Sequence, residues 1–402
     1  MESYEFLLVI AIILLSTKTF GILSSHVHMP QVVGALMAGI ILGPSCLGIL
    51  QETDFLLKTS ELGVIMLMFI AGLDTDIHEL KNTGPTSFIV AVLGVIFPLI
   101  GGFGAYMAFF ANSFDSMTVL KGIFIGVVLT ATSVSITVET LREMGKLKGK
   151  VGTTILGAAV IDDILGIIVL SFLSGFTDAN ANPLMVFTEI GGFFIFLVVV
   201  GIVIYYVFKK MEDVVGTKRR VAVYGFAFCL ILSYIAEKFF GVADITGAYF
   251  AGIILCNIAK TRQYIAKKMT VSSYLLFSPV FFASVGIKTD LHSLNSQFMV
   301  FALVLLVIAL VTKIIGCGIG AKVCGMSNLD SFRIGVGMVS RGEVALIVAQ
   351  KGMQAGLIDA AISPAIVLVV IMTTLLTPVM LNFVMKEKAS EKLAFKKPIV
   401  NN

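Results

Sequence analysis

Gly157-Ala-Ala-Val-Ile-Asp162-Asp163-Ile-Leu-Gly-Ile-Ile-Val-Leu170 sets two adjacent carboxylates in a run otherwise apolar enough to cross a bilayer. A carboxylate near the membrane centre costs about 2.5–3.5 kcal/mol on insertion scales. The alternative is a helix end resting at the interface, against which apolar residues continue for roughly two turns on either side. Acidic residues at such a depth are the mark of a path for cations or protons, with a partner nearby. Neighbours on a helix point about 100° apart. One of the two can therefore line a water-filled cavity while the other meets a fixed counter-charge.

The rest of the chain agrees with a membrane setting. Its 402 residues are 57% hydrophobic and only 13% charged, with a mean hydropathy of +1.00. A soluble protein of this size needs far more polar surface. The net charge of +4 sits mostly in loops, so it speaks to topology and not to nucleic acid. The five cysteines show no metal-ligand spacing, and no cofactor motif is present. At about twenty apolar residues per crossing, about thirteen spans are expected. They cover residues 5–25, 31–48, 54–73, 85–111, 117–141, 149–176, 184–208, 218–240, 242–258, 271–287, 297–324, 329–353 and 360–385. The fold class expected is all-α, polytopic, in the bilayer.

Basic residues set the orientation. Arg142, Lys146, Lys148 and Lys150 follow the fifth span, and Lys209, Lys210, Lys218, Arg219 and Arg220 the seventh. Lys260, Arg262, Lys267 and Lys268 follow the ninth, and the tail at 386–402 is again rich in lysine. By the positive-inside rule these loops and the C-terminus are cytoplasmic and the N-terminus is outside.

The chain also repeats itself. Gly34-Ala-Leu-Met-Ala-Gly-Ile-Ile-Leu42 returns as Gly247-Ala-Tyr-Phe-Ala-Gly-Ile-Ile-Leu255, and Gly72-Leu-Asp-Thr-Asp-Ile-His-Glu-Leu80 as Gly286-Ile-Lys-Thr-Asp-Leu-His-Ser-Leu294. The offsets are 213 and 214 residues. An odd number of spans separates the copies, so they run through the membrane in opposite directions. Such an inverted-topology repeat is the architecture of secondary transporters. The chain is thus expected to be one transporter unit: repeat one over about 5–176, a linker helix over about 184–208 and repeat two over about 218–385.

Two spans carry polar or small residues in mid-membrane. The fifth holds Ile125-Gly-Val-Val-Leu-Thr-Ala-Thr-Ser-Val-Ser135, and the twelfth Ile334-Gly-Val-Gly-Met-Val-Ser-Arg-Gly-Glu-Val344. Interruptions at matching places of two repeats point to two discontinuous helices crossing at a binding site. Thr132 and Ser133 are then candidates to face the ion; packing and back-bonding to carbonyls are the competing use of such residues. Lys313 lies near the middle of the eleventh span, far in sequence from any other intramembrane charge; snorkelling to the surface is the usual fate of a lone lysine, but this depth favours pairing, with Asp162 or Asp163 as the natural partner. Arg341 and Glu343 in the twelfth span are either part of the ion path or a charge clamp on the broken helix; the clamp is favoured, because arginine stays charged and suits fixed bidentate pairing.

Ile161-Asp162-Asp163, Ala131-Thr132-Ser133-Val134-Ser135, Lys313 and Ser340-Arg341-Gly342-Glu343 together resemble the cation:proton antiporter superfamily. Within it the chain is most similar to bacterial sodium/proton antiporters with an adjacent Asp-Asp pair. The resemblance spans nearly the whole sequence. It implies a homodimer in the bacterial cell membrane, with a static dimerisation part and a mobile core holding the two crossed helices. It also implies that Asp163 carries the cation and the proton, that Asp162 pairs with Lys313, and that exchange is electrogenic. The tail has no Gly-rich segment of the kind that opens a nucleotide-binding domain. The expected partners are H⁺ and Na⁺, with K⁺ and Li⁺ as alternatives that carboxylate and carbonyl oxygens would also accept. Two other classes fit less well. An intramembrane aspartyl protease needs carboxylates from two helices sharing a proton, whereas these point apart on one helix. A channel would account for the polar centre but not for the inverted duplication.

Overall fold

The computed structural model describes residues 4–27, 29–111, 115–177, 183–215, 219–288, 296–354, 356–359 and 362–386. Among them all regular structure is helical: α1 Glu5–His26, α2 Gln31–Leu42, α3 Asp54–Asp74, α4 Ile77–Phe110, α5 Ser116–Thr130, α6 Val134–Glu143, α7 Lys150–Thr177 and α8 Pro183–Val215. The second half continues with α9 Arg219–Phe240, α10 Asp244–Cys256, α11 Ala259–Ser272, a π-helical turn Ser273–Phe277, α12 Ser278–Ile287 and α13 Ser296–Val323, and closes with α14 Asn328–Gly337, α15 Glu343–Gln354 and α16 Ser363–Met385. Nine of the described helical stretches are long and apolar enough to cross a membrane, and two shorter apolar helices, Gln31–Leu42 and Asp244–Cys256, accompany them.

The expected spans differ from these helices at their ends, for local reasons. α2 stops at Leu42 instead of continuing to Gly48, where Gly43 leaves the helix in an extended conformation. α4 starts well before Pro85, because the Asp76 carboxylate accepts from the backbone N–H groups of His78 and Glu79 and opens the helix there. The tenth span is the end of a longer stretch that begins at Ala259 and passes through the π-helical turn. The second copy of the Thr-Asp-x-His motif and the tail from 387 onward lie outside the described residues.

The helices pack as two groups. α4, α5, α7, α13, α14 and α16 pack on one another, while α1, α2, α3, α9, α10 and α12 form a second set. α6 touches both, lying on α7 and α16 on one side and on α2 and α3 on the other. The repeated glycines account for the close approach inside the second set. A β-carbon on Gly39 would stand 2.1 Å from the Ala283 carbonyl oxygen, and one on Gly286 2.6 Å from that of Leu36. Their repeat partners do the same between α10 and α3. Gly252 would meet the Phe69 oxygen at 2.4 Å, and Gly72 the Tyr249 oxygen at 2.1 Å. Small residues let helix backbones touch where lipid supplies no hydrophobic drive. Here each motif of one copy packs on the other motif of the opposite copy.

Polar contacts between loops sort onto two faces. Lys148 pairs with Asp74, Glu212 accepts from Thr261, and Glu143 accepts from the Gln31 N–H at 2.7 Å. These join the odd-numbered connections, where the basic residues cluster. Lys121–Asp359 and Lys288–Glu52 join the even-numbered ones.

Candidate functional site

Both interrupted spans are broken where their polar residues stand. α5 ends at Thr130 and α6 starts at Val134; α14 ends at Gly337 and α15 starts at Glu343. The breaks touch. The Ser133 N–H donates to the Ser340 carbonyl at 2.8 Å, and the Thr137 hydroxyl to the Gly337 carbonyl at 2.8 Å. Gly342 faces Ser133 so closely that a β-carbon there would lie 2.7 Å from the serine hydroxyl. Four helix ends therefore meet at one level, two presenting carbonyls and two presenting N–H groups.

Charges are placed against these ends. Asp162 on α7 is 2% exposed, Asp163 7%, and Lys313 on α13 is fully buried. The Lys313 Nζ is 3.1 Å from Asp162 Oδ1 and 3.2 Å from Oδ2. It also donates to the Thr130 carbonyl at 2.8 Å and to the Gly94 carbonyl of α4 at 2.9 Å. An ammonium has three donors, and here three groups accept them. The Thr130 carbonyl is the last of α5, so the cation also sits on the negative end of that half-helix. Of the two aspartates the sequence left open as partners, Lys313 takes Asp162.

Thr132 and Ser133 are both 2% exposed. The Thr132 hydroxyl is buried and faces the Asp162 carboxylate. Ser133 is 3.4 Å from the Ser135 hydroxyl. The Ser340 hydroxyl and the Arg341 Nε are buried without a hydrogen-bond partner among the described residues. Arg341 is fully buried, and among the described residues it meets the second break through backbone carbonyls. Its Nη1 donates to the Val339 carbonyl at 2.7 Å and its Nη2 to the Ala309 carbonyl at 3.3 Å, while its own carbonyl accepts from the Thr374 hydroxyl. Glu343 opens α15, and its side chain lies outside the described residues. The carbonyls of Gly94, Thr130, Val339 and Ala309 were not legible as site atoms, because a backbone acceptor leaves no residue type to read.

The arrangement is a buried, paired charge beside a second carboxylate, at the contact of two helix breaks where the Ser340 hydroxyl has no hydrogen-bond partner among the described residues. Comparison with known proteins fits this geometry. Residues 8–387 match the model of a family described as "Sodium/hydrogen exchanger, transmembrane". The chain belongs to this family. It is 40% identical to the Na(+)/H(+)-K(+) antiporter GerN of Bacillus cereus over 96% of this chain and 98% of that one. It is 36% identical to a Na(+)/H(+) antiporter of Enterococcus hirae over 95% and 99%. The fold is similar to that of the sodium proton antiporter MjNhaP1 of Methanocaldococcus jannaschii, with a TM-score of 0.76 at 17% identity over 99% of this chain and 100% of that one. Family and fold are thus those of a multi-pass membrane carrier.

Proposed function

We propose that this chain is a secondary antiporter that exchanges protons for Na⁺ by alternating access around Asp162 and Asp163, with K⁺ and Li⁺ as further candidate cations. The observation that carries the reading is the buried Lys313–Asp162 pair set beside Asp163 at the touching helix breaks. In this reading Asp163 carries the cation in one phase and the proton in the other. Thr132, Ser133 and carbonyls freed at the breaks complete the cation's shell. Lys313 and Asp162 keep the site's charge fixed, and Arg341 with Glu343 holds the α14–α15 break. The names of the relatives favour Na⁺ and H⁺, and that of the Bacillus cereus protein adds K⁺.

The same reading makes the protein a carrier and not an enzyme, in the cell membrane, with the odd-numbered loops and the C-terminus cytoplasmic and the N-terminus outside. The group of α4, α5, α7, α13, α14 and α16 moves against the second group, through which two copies associate. The repeats supply two related packings for that motion.

Proton movement into dye-loaded proteoliposomes challenged with Na⁺, K⁺ and Li⁺ in turn tests the reading. Wild-type protein exchanges at least one of them for protons, and Asp163→Asn inserts normally but gives no cation-dependent flux. Flux through Asp163→Asn at the wild-type rate would remove Asp163 from the carrier role.

A further inference from the structure

Lys313 depends on an acceptor that a regular helix would not offer. Within α4 the Gly94 carbonyl would ordinarily accept from the N–H four residues on. That residue is Pro98, buried inside the same helix, and proline has no N–H. The Gly94 oxygen is thereby left uncommitted within its own helix, and the Lys313 ammonium takes it at 2.9 Å.

The surrounding helix contact is built to bring the two together. A β-carbon on Gly94 would lie 2.6 Å from the Cys317 sulfur and 3.5 Å from the Lys313 Nζ. Cys317 is one turn beyond Lys313 on α13. On the same helix, β-carbons on Gly316 and Gly320 would stand 2.6 Å from the Leu93 oxygen and 2.9 Å from the Val90 Cα. Small residues on both helices thus let α13 lie against the backbone of α4, and the freed carbonyl falls within reach of the ammonium.

We propose that Pro98 is a positioning residue of the ion site: by withholding its N–H it reserves the Gly94 carbonyl for Lys313 and so holds the ammonium on Asp162. This rests on the antiport reading. With an N–H at position 98 the carbonyl is shared, and the ammonium is drawn further onto the carboxylates. There it competes with an entering cation. A hydrogen bond to a charged group is strong, and a carbonyl can accept twice, so the loss is partial.

The test is Pro98→Ala, with Pro98→Gly supplying the same N–H should the first variant fail to accumulate. In proteoliposomes the apparent KM for Na⁺ is expected to rise about three- to tenfold with the maximal rate within about twofold of wild type. A second arm reads the carbonyl without transport. In Lys313→Met the Gly94 oxygen has lost its partner, so adding Pro98→Ala should raise the melting temperature more than it does in the wild-type background. An unchanged KM, or equal effects on melting in both backgrounds, would overturn the assignment, as would a fall in maximal rate and stability with KM unmoved, which is the signature of a helix kink alone. Absence of any cation-driven proton flux in the wild type would instead fail the antiport reading, and the melting arm would still decide the role of Pro98.

Discussion

Replacing Lys313 by methionine keeps most of the side-chain volume and removes only the charge. The consequence can be worked from the contacts. Asp162 is left 2% exposed with its cation gone, and two buried carbonyls, Gly94 and Thr130, lose their donor. Breaking a buried pair from one side costs about 3–5 kcal/mol, mostly because the remaining charge is uncompensated. The reverse change is milder. Asp162→Asn leaves the buried ammonium without its counter-charge but with both carbonyls and an amide oxygen as acceptors, so a loss at the low end of that range, about 3 kcal/mol, is expected. The double variant should be more stable than Lys313→Met alone by about 2 kcal/mol, since no lone charge remains. Heating of the purified protein, followed by the fraction surviving size-exclusion chromatography, ranks the four forms. Were Asp162→Asn to add its own loss to that of Lys313→Met, the two residues would not be coupled and the account of the site given above would fail.

Three further outcomes follow from the same geometry. Lys313→Ala and Asp162→Asn should reduce the response of Na⁺/H⁺ exchange to a potassium diffusion potential more than they reduce cation binding; exchange by the wild type that ignores the imposed potential would make the cycle electroneutral. A cysteine at Thr132, with the native cysteines replaced, should react with a membrane-impermeant thiol reagent at different rates with and without Na⁺, and equal rates would argue against a gated cavity. Glu143 accepts from the backbone N–H groups of Gln31 and Val32 and so caps α2 from α6; Glu143→Ala should speed hydrogen exchange in the first turn of α2, and Gln31→Pro, which leaves the Val32 bond in place, should do so less, with equal effects counting against the cap.

What the sequence made legible was whatever depends on residue type and spacing. The broken helices could be read because Thr130, Thr132 and Ser133 in one span and Ser340, Arg341 and Gly342 in the other are poor choices for an uninterrupted apolar helix. The reciprocal glycine contacts follow from motifs repeated at a nearly constant offset. Pairing of Lys313 with a carboxylate followed from the expense of a lone buried charge, and the family resemblance selected Asp162. Backbone chemistry stayed hidden. Nothing in the residue types says that Arg341 would spend its donors on the Val339 and Ala309 carbonyls, or that Glu143 would reach from α6 to α2. Helix ends were misjudged where a cap or a glycine decided them, as at Asp76 and Gly43.

The duplication copies the scaffold and leaves out the charges. Carried across by about 213 residues, Asp162 and Asp163 fall among 370–377, and Lys313 among 99–105; neither stretch holds a charged residue. The two breaks still meet symmetrically, each offering one end of carbonyls and one of N–H groups. Under the alternating access proposed above, the repeated scaffold supplies two related packings, one open to each side. Doubling the charges would put a second aspartate pair and a second lysine at the same crossing. Each would have to be kept dry in both packings, at several kcal/mol per unpaired ion. A single asymmetric set avoids this. Lys313 sits on the carbonyl end of α5 and Arg341 on the break between α14 and α15, so one fixed cation stands at each interruption. With a cation fixed at each interruption and Asp162 paired with Lys313, the antiport proposed above assigns the exchanged ion to Asp163.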